Sequence, residues 1–187
     1  EEQVELRALA REFARGEIRP FAPEWDAQRS LDPEVFRKLG ELGFLGMRVP
    51  EAFGGLELDL TTYLLILEEL AWGDASVALV VSIHSGPVTS ALLAHGTEDQ
   101  KNRWLPVMGR GECLGAFALS EPEAGSDAGS LKTLATRKKD GWVLNGKKKW
   151  VSGGERAVLF VVFARAGGGE GLSALVLEGG VGGRGCG

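Results

Sequence analysis

The hydrophobic spacing of this sequence changes once, and that change limits what the chain can fold into. Up to about residue 112, apolar residues recur three and four apart. Beyond it they fall into short runs divided by turn dipeptides. Val4, Leu6, Leu9, Phe13 and Ile18 predict a helix over 2–19, ended by Pro20 and Pro23. Asp32-Pro33-Glu34 starts another, with an N-cap acceptor, proline at the first helical position and an acid in the first turn. Its apolar stripe is Val35, Phe36, Leu39 and Leu42, and Gly43 stops it. Met47 to Pro50 reads as extended, and Phe53-Gly54-Gly55 as a turn. Leu60 to Trp72 is a third helix, closed by Gly73. Asp74 caps a fourth over 75–85, apolar on nearly all sides and therefore buried. Pro87 is expected to kink or break that helix before Val88 to His95. Gly96 ends the segment, and Thr97 with Gln100 forms a capping box for a last helix ending near Leu105-Pro106.

The second part reads as strands: Cys113 to Leu119, Leu131 to Lys138, Trp142 to Leu144, Lys148 to Ser152, Val158 to Ala164 and Leu172 to Leu177. Asp140-Gly141 and Asn145-Gly146 are turns, the second being the strongest short hairpin signal available. Hairpins in this density, with no helix between them, predict an antiparallel sheet. The chain is therefore read as α+β, with a helical domain over 1–112 and a β-domain over 113–187. The boundary lies near Gly109 to Glu112, and there is no internal repeat. From Gly179 the sequence is nearly all glycine, which buries little and costs the most entropy to order.

Composition narrows the class. Of 187 residues, 44% are hydrophobic and 25% charged, the profile of a globular protein. A net charge of -5 gives no general attraction to nucleic acid or anionic lipid. The basic triplets Arg137-Lys138-Lys139 and Lys147-Lys148-Lys149 read as solvated strand edges. Cys113 and Cys186 show no metal-ligand spacing, so no metal is assigned. The acidic start is unlike a secretory signal, and the longest apolar run, Val77 to Ile83, is too short to cross a bilayer. A cytoplasmic location without membrane attachment is the expectation.

Chemistry concentrates in Leu119 to Asp127, Leu-Ser-Glu-Pro-Glu-Ala-Gly-Ser-Asp. An apolar strand stops at a hydroxyl, Pro122 bars helix, and Gly125-Ser126-Asp127 leaves backbone N–H groups uncovered. That suits an anion such as a pyrophosphate. It equally suits a turn in which Ser and Asp bond their own backbone. Rival motifs fail on spacing. Gly141 to Lys147 approaches a P-loop, but Lys148 stands where Ser or Thr should be, and the segment lies in a hairpin. No Gly-x-Gly-x-x-Gly follows a strand, and no serine sits in a Gly-x-Ser-x-Gly elbow. His95 suits a helix end, and His84, within an apolar helix, reads as a satisfied core histidine.

Residues Ala118 to Ser130 resemble the signature of the acyl-CoA dehydrogenases. Val49 to Gly55, Glu68 to Ala71, Gly96 to Lys101 and Asn145 to Ser152 follow in that family's order, so the resemblance spans roughly residues 3 to 178. It implies an N-terminal helical domain and a middle β-domain of barrel or sandwich-like form. A C-terminal helical bundle would follow, for which no counterpart is read here. It implies FAD as cofactor and an acyl-CoA substrate converted to the 2-enoyl-CoA. An electron-transfer flavoprotein as acceptor and a homo-oligomer are implied too. Carried over by position, Phe117, Leu119 and Ser120 would hold the flavin's pyrimidine edge. Gly125 and Ser126 would lie near the pyrophosphate, with Ser126 also near the acyl-CoA. In the Trp150-Val151-Ser152 segment, Trp150 would cover one flavin face and Ser152 would donate toward N5 or O4. Phe117 stands where many relatives have Tyr, and Ser120 and Ser152 where Thr is commoner, changes that keep ring and hydroxyl. The family's base is a Glu of the C-terminal bundle, so no catalytic residue is assigned within 1–187. These residues alone are expected to hold FAD poorly and not to turn over acyl-CoA. Two other readings remain: a folded, non-catalytic remnant without flavin, and a flavin oxidase or monooxygenase on the same fold.

Overall fold

The helix starts legible in the sequence are the ones the polypeptide uses. The structure is a computed structural model that describes residues 1–139, 141–166 and 171–179. Helix α1 (Glu2–Phe13) continues through a π-helical turn, Ala14–Ile18, as the apolar spacing over 2–19 predicts. Helix α2 (Ala22–Gln28) was not anticipated: Pro20 and Pro23 read as a stop, yet Pro23 sits in the first turn of α2. There a missing N–H costs nothing. Asp32 caps α3 (Pro33–Glu41) by accepting from Glu34 N–H. Asp59 accepts from Thr61 and Thr62 N–H at α4 (Leu60–Gly73), and Asp74 from Val77 N–H at α5 (Ala75–Ile83).

Pro87 does not break the helix that α5 begins. A π-helical turn, His84–Val88, absorbs it, and α6 (Thr89–His95) continues the same run. The wider turn lets the Thr89 hydroxyl reach the His84 carbonyl at 2.8 Å. The result is a helix over Ala75–His95 of 21 residues and mean hydropathy 1.7, long and apolar enough by composition to cross a membrane. That corrects the shorter apolar run read from sequence. Within the helical unit, Val77, Val81, Val88 and Leu92 of this helix are buried, which is how a core helix is used. Helix α7 (Glu98–Gly109) has both bonds of its Thr97–Gln100 capping box and runs past Pro106, which it carries inside. The Met47–Pro50 segment is a run of turns, not an extended strand. Backbone bonds from Leu56, Glu57 and Leu58 to Gly46, Val49 and Met47 pin it, with Met47 and Val49 fully buried.

These helices close around Phe36, Leu39, Phe44, Ile66, Leu70 and Val81. One carboxylate enters that interior. Glu69 of α4 is 2% exposed and accepts from Arg7 Nε at 2.6 Å and from Arg11 Nε, joining α4 to α1. Burial of a carboxylate is tolerable only with such donors.

The chain divides into two compact units, Glu1–Leu114 and a second beginning at Gly115. The second is a five-stranded sheet of β1 (Gly115–Ala118), β2 (Leu134–Lys138), β3 (Gly141–Asn145), β4 (Leu159–Ala166) and β5 (Leu172–Glu178). Helices first and sheet second is the α+β order read from the sequence. The purely antiparallel expectation is corrected. β2–β3 and β4–β5 are antiparallel, but β4 runs parallel to both β1 and β2. Hairpin signals report only neighbours in sequence, and here the segment 146–158 returns the chain to a non-neighbour. The Lys148–Ser152 strand is also corrected: residues 147–151 carry no ladder, and 152–156 are turns. The Asp140 turn residue, the Gly167–Glu170 stretch and the tail from Gly180 lie outside the described residues.

Two adjacent glycines are constrained differently. Gly54 has φ +80 with open space around a would-be Cβ, whereas a Cβ on Gly55 would meet the Val49 carbonyl oxygen at 2.0 Å. Gly54→Ala is expected to cost about 1–2 kcal/mol, the left-handed penalty. Gly55→Ala should cost more, because backbone must move at the same time as Val49 is buried. Urea unfolding of the two variants measures the order, and equal losses would contradict it.

Candidate functional site

The sheet's topology makes the site loop. β1 and β2 lie end to end along one edge of β4: Ala118 faces Val162, and Leu134 faces Arg165. Those partners on β4 are three residues apart, so the whole of 119–133 is an excursion from an otherwise continuous edge. An excursion of this kind must be tied down by side chains, because no ladder holds it.

Glu121 is the tie. Its side chain is 6% exposed, and its carboxylate accepts from Lys132 N–H at 2.6 Å, Thr133 N–H at 3.0 Å, the Thr133 hydroxyl, and Lys148 Nζ at 2.8 Å. Lys148 Nζ also donates to the Leu119 carbonyl at 2.9 Å. Beside it the Lys149 amide donates to the Ser120 carbonyl at 2.8 Å. The loop then folds back on itself, with Glu121 and Ala124 bonding each other's backbone. Its far end is held by Arg165, which donates to the Leu131 carbonyl at 2.7 Å and to the Gly129 carbonyl. Burial pushes the Glu121 carboxyl up from its ordinary 4.5. The hydrogen bonds, Lys148's first and then Thr133's, pull it further the other way, to about 2.

Sequence reasoning assigned roles to neither Glu121 nor Lys148. Lys148 reads as one of three solvated lysines, and nothing short of the pairing register places it against Leu119. The assigned residues fall into three places. Leu119 and Ser120 are half-buried at the strand end, bonded to Lys148 and Lys149 as described, so the structure brings them together with the Trp150 segment. Phe117 is on β1, its ring 5.0 Å from that of Phe163. Gly125 and Ser126 are exposed beyond the Glu121–Ala124 turn, and no hydrogen bond among the described residues joins Ser126 to Trp150. A Cβ on Gly125 would meet nothing within 4 Å. Neither packing nor a positive φ therefore requires glycine there.

Trp150 is the anomaly. It is 81% exposed and has φ 59, in a region a bulky side chain rarely adopts. Lys149 Nζ lies 4.6 Å from its ring centroid. Val151 is half-buried against the Ala116, Ala118, Ala157 and Phe160 cluster, and Ser152 is half-buried in the following turn. An indole held in a strained backbone and left in solvent does not serve the core of its own unit. An open depression of about 220 Å³, lined by Glu121, Glu123, Lys132, Thr133 and Lys147 among others, does not include it. Among the described residues no cluster of His, Cys, Asp or Glu could hold a metal. His84 is wholly buried with Nε2 3.3 Å from the Met108 carbonyl, and burial pushes it down to about 4.

The sequence profile described as acyl-CoA dehydrogenase, N-terminal domain, matches residues 1–112, and that for the acyl-CoA dehydrogenase middle domain matches 116–185. The chain belongs to the acyl-CoA dehydrogenase family. An acyl-CoA dehydrogenase of Bacillus subtilis is 38% identical over 181 residues, which are 95% of this chain and 48% of the relative. A solved structure of the electron transferring flavoprotein of Acidaminococcus fermentans matches with a TM-score of 0.91 and 36% identity, over 96% of this chain and 48% of that one. An acyl-CoA dehydrogenase complexed with FAD from Bacillus anthracis matches with a TM-score of 0.88 and 35% identity, over 95% of this chain and 31% of that one. The chain thus spans about half the length of the curated acyl-CoA dehydrogenases it matches.

The Glu121–Lys148 pair has a consequence for stability. The folded pKa of Glu121 is depressed, so its contribution is complete above about pH 4.5 and is lost as pH falls toward 2. Lys148→Met leaves a buried carboxylate without its cation and should cost about 3 kcal/mol at pH 7. Urea melts at pH 7 and pH 3 are expected to show the gap between variant and parent narrowing in acid. A gap independent of pH would mean that the pair is not ionised.

Proposed function

We propose that this chain supplies the helical and middle domains, over 1–112 and 113–187, of an FAD-dependent acyl-CoA dehydrogenase that converts an acyl-CoA to its 2-enoyl-CoA. The observation that carries the reading is Trp150, a strained and solvent-facing indole tied to a strand end that offers a hydroxyl. The residues suit a planar, anionic group. Trp150 offers a stacking face, Ser120 and Ser152 offer hydroxyls, and the uncovered Gly125-Ser126 turn offers room and backbone donors. When bound, FAD supplies a two-electron acceptor for the hydrogen leaving the substrate's β-carbon.

Each side chain then has a task. Trp150 covers one face of the ring and keeps water from it. Phe117, Leu119 and Ser120 hold the pyrimidine edge, Val151 seats the segment on the core, and Ser152 donates toward the reactive edge of the ring. Gly125 and Ser126 receive the pyrophosphate, and the Ser126 hydroxyl also faces the acyl-CoA. No carboxylate at the loop is fit to take the α-proton. Glu121 is held at about 2 with its oxygens engaged, Glu123 pairs with Lys132, and Asp127 accepts from the Ser130 hydroxyl. A base must be far more proton-hungry than Glu121 is, and it needs oxygens free to reach the substrate. The base is therefore none of these three, and the family resemblance implies a Glu of the C-terminal bundle. An electron-transfer flavoprotein would serve as the electron acceptor, and the working enzyme would be a homo-oligomer.

FAD titrated into the purified chain should quench tryptophan emission, and Trp150→Ala should weaken binding by about 1 kcal/mol, roughly five-fold. Unchanged affinity would remove Trp150 from the site. With FAD and a short or medium acyl-CoA, these residues alone should give no steady reduction of a dye acceptor. Turnover at enzyme-like rates would mean that a base lies within them.

A further inference from the structure

The buried pair of Glu121 and Lys148 is not used by any step above, yet it holds the Leu119 strand end and adjoins the Trp150 segment. Lys148 Nζ spends one proton on Glu121 and another on the carbonyl of Leu119. The next residue donates its amide to Ser120, and the one after that is Trp150. The Glu121 carboxylate meanwhile grips Lys132 and Thr133, where the excursion rejoins the sheet as β2. Three stretches that no ladder joins are thus held at one point, from which the strand end and the indole both depart.

We propose that Glu121 and Lys148 are positioning residues of the cofactor site. By fixing the distance between the Leu119–Ser120 strand end and the Trp150 segment, they allow one planar ligand to meet both at once. This deepens the flavin reading of the site and rests on it. Chemistry restricts which residues could do this. The carboxylate oxygens face only donors, so a glutamine at 121 would turn its NH₂ against an N–H or an ammonium. The cation must reach a carboxylate and a carbonyl from one atom, which an ammonium does with separate protons. The strained φ of Trp150 agrees with the assignment, since a disfavoured conformation persists only where its surroundings impose it.

Thr133 provides the control. Its hydroxyl donates to the same carboxylate but reaches neither Leu119 nor the 148–150 segment. Thr133→Val therefore weakens the pair's environment and spares the tether. Hydrogen exchange of the chain without ligand is the first measurement. In Lys148→Met the Lys149 amide is expected to exchange at least about ten-fold faster than in the parent, beyond any change at Val161 or Val176 in the sheet. In Thr133→Val it should follow the sheet. FAD affinity is the second measurement. Lys148→Met should weaken binding about five-fold. Added to Trp150→Ala it should cost less than about two-fold more, because both act through the same ring. Thr133→Val should combine additively with Trp150→Ala.

Lys149 protection that follows the sheet in Lys148→Met, or strictly additive losses with Trp150→Ala, would overturn the proposal and leave the pair as a stabilising contact only. Failure of the unaltered chain to bind FAD at all would instead overturn the flavin reading. The exchange rates would still decide the tether.

Discussion

A carboxylate withdrawn from water must be surrounded by donors, and in this protein one such carboxylate sets the geometry of the site loop. Glu121 gathers two backbone amides, a hydroxyl and an ammonium around oxygens that solvent hardly reaches. Buried ion pairs do not in general stabilise more than apolar packing would, and their better-attested use is to specify one arrangement among several. That is what Glu121 does. The 119–133 excursion is long enough to adopt many paths, and only one of them brings Lys132, Thr133 and Lys148 to the same point. Glu69 plays a comparable part in the helical unit, where Arg7 and Arg11 reach it from α1. Among the described residues, each unit therefore has an apolar core for energy and one buried, paired carboxylate for register.

The excursion itself follows from the sheet. Because β1 and β2 share an edge of β4, the chain can leave that edge and resume it with little disturbance to the ladder. Loops held on a rigid scaffold in this way are where binding residues concentrate, since their backbone is free to present groups that a strand would consume. The exposed turn at Gly125-Ser126 and the strained Trp150 are such groups. In the proposed site their exposure leaves them open to a ligand: an indole in water adds little to the fold, and its backbone conformation detracts from it.

How much of this was visible in the sequence divides along a physical line. Asp32, Asp59, Asp74 and Thr97 act on amides two or three residues away, so a short window contains the whole interaction, and the helix starts at Asp32, Asp74 and Thr97 were legible. The hairpin of β2 and β3 is equally local. The helical and sheet halves were legible for the same reason, whereas the segments Leu119 to Asp127 and Trp150 to Ser152 stood out by family resemblance, and their role as a site is the proposal made above. Prolines misled where the response to them was not local. Pro23 opens α2, where no helical bond needs its N–H, a π-helical turn absorbs Pro87, and Pro106 lies inside the continuing α7.

What only the tertiary structure decided is what depends on which distant residues become neighbours. The parallel pairing of β4 with β1 and β2 is set by a return path through 146–158 that carries no periodic signal. The exposure and strain of Trp150 depend on that path too, as does the loss of the strand expected at 148–152. Lys148 is one lysine of three in a row, and its sequence neighbours are chemically alike. Burial against Leu119 and Glu121 singles it out, and burial is a property of the fold. By itself the sequence determined the helix starts at Asp32, Asp74 and Thr97, the β2–β3 hairpin and the family's motifs along the chain, because those are read within one turn of helix, one hairpin or one short run of residues. The folded structure decided which of those motifs meet, because a charge pair across 27 residues exists only once the sheet has brought its ends together.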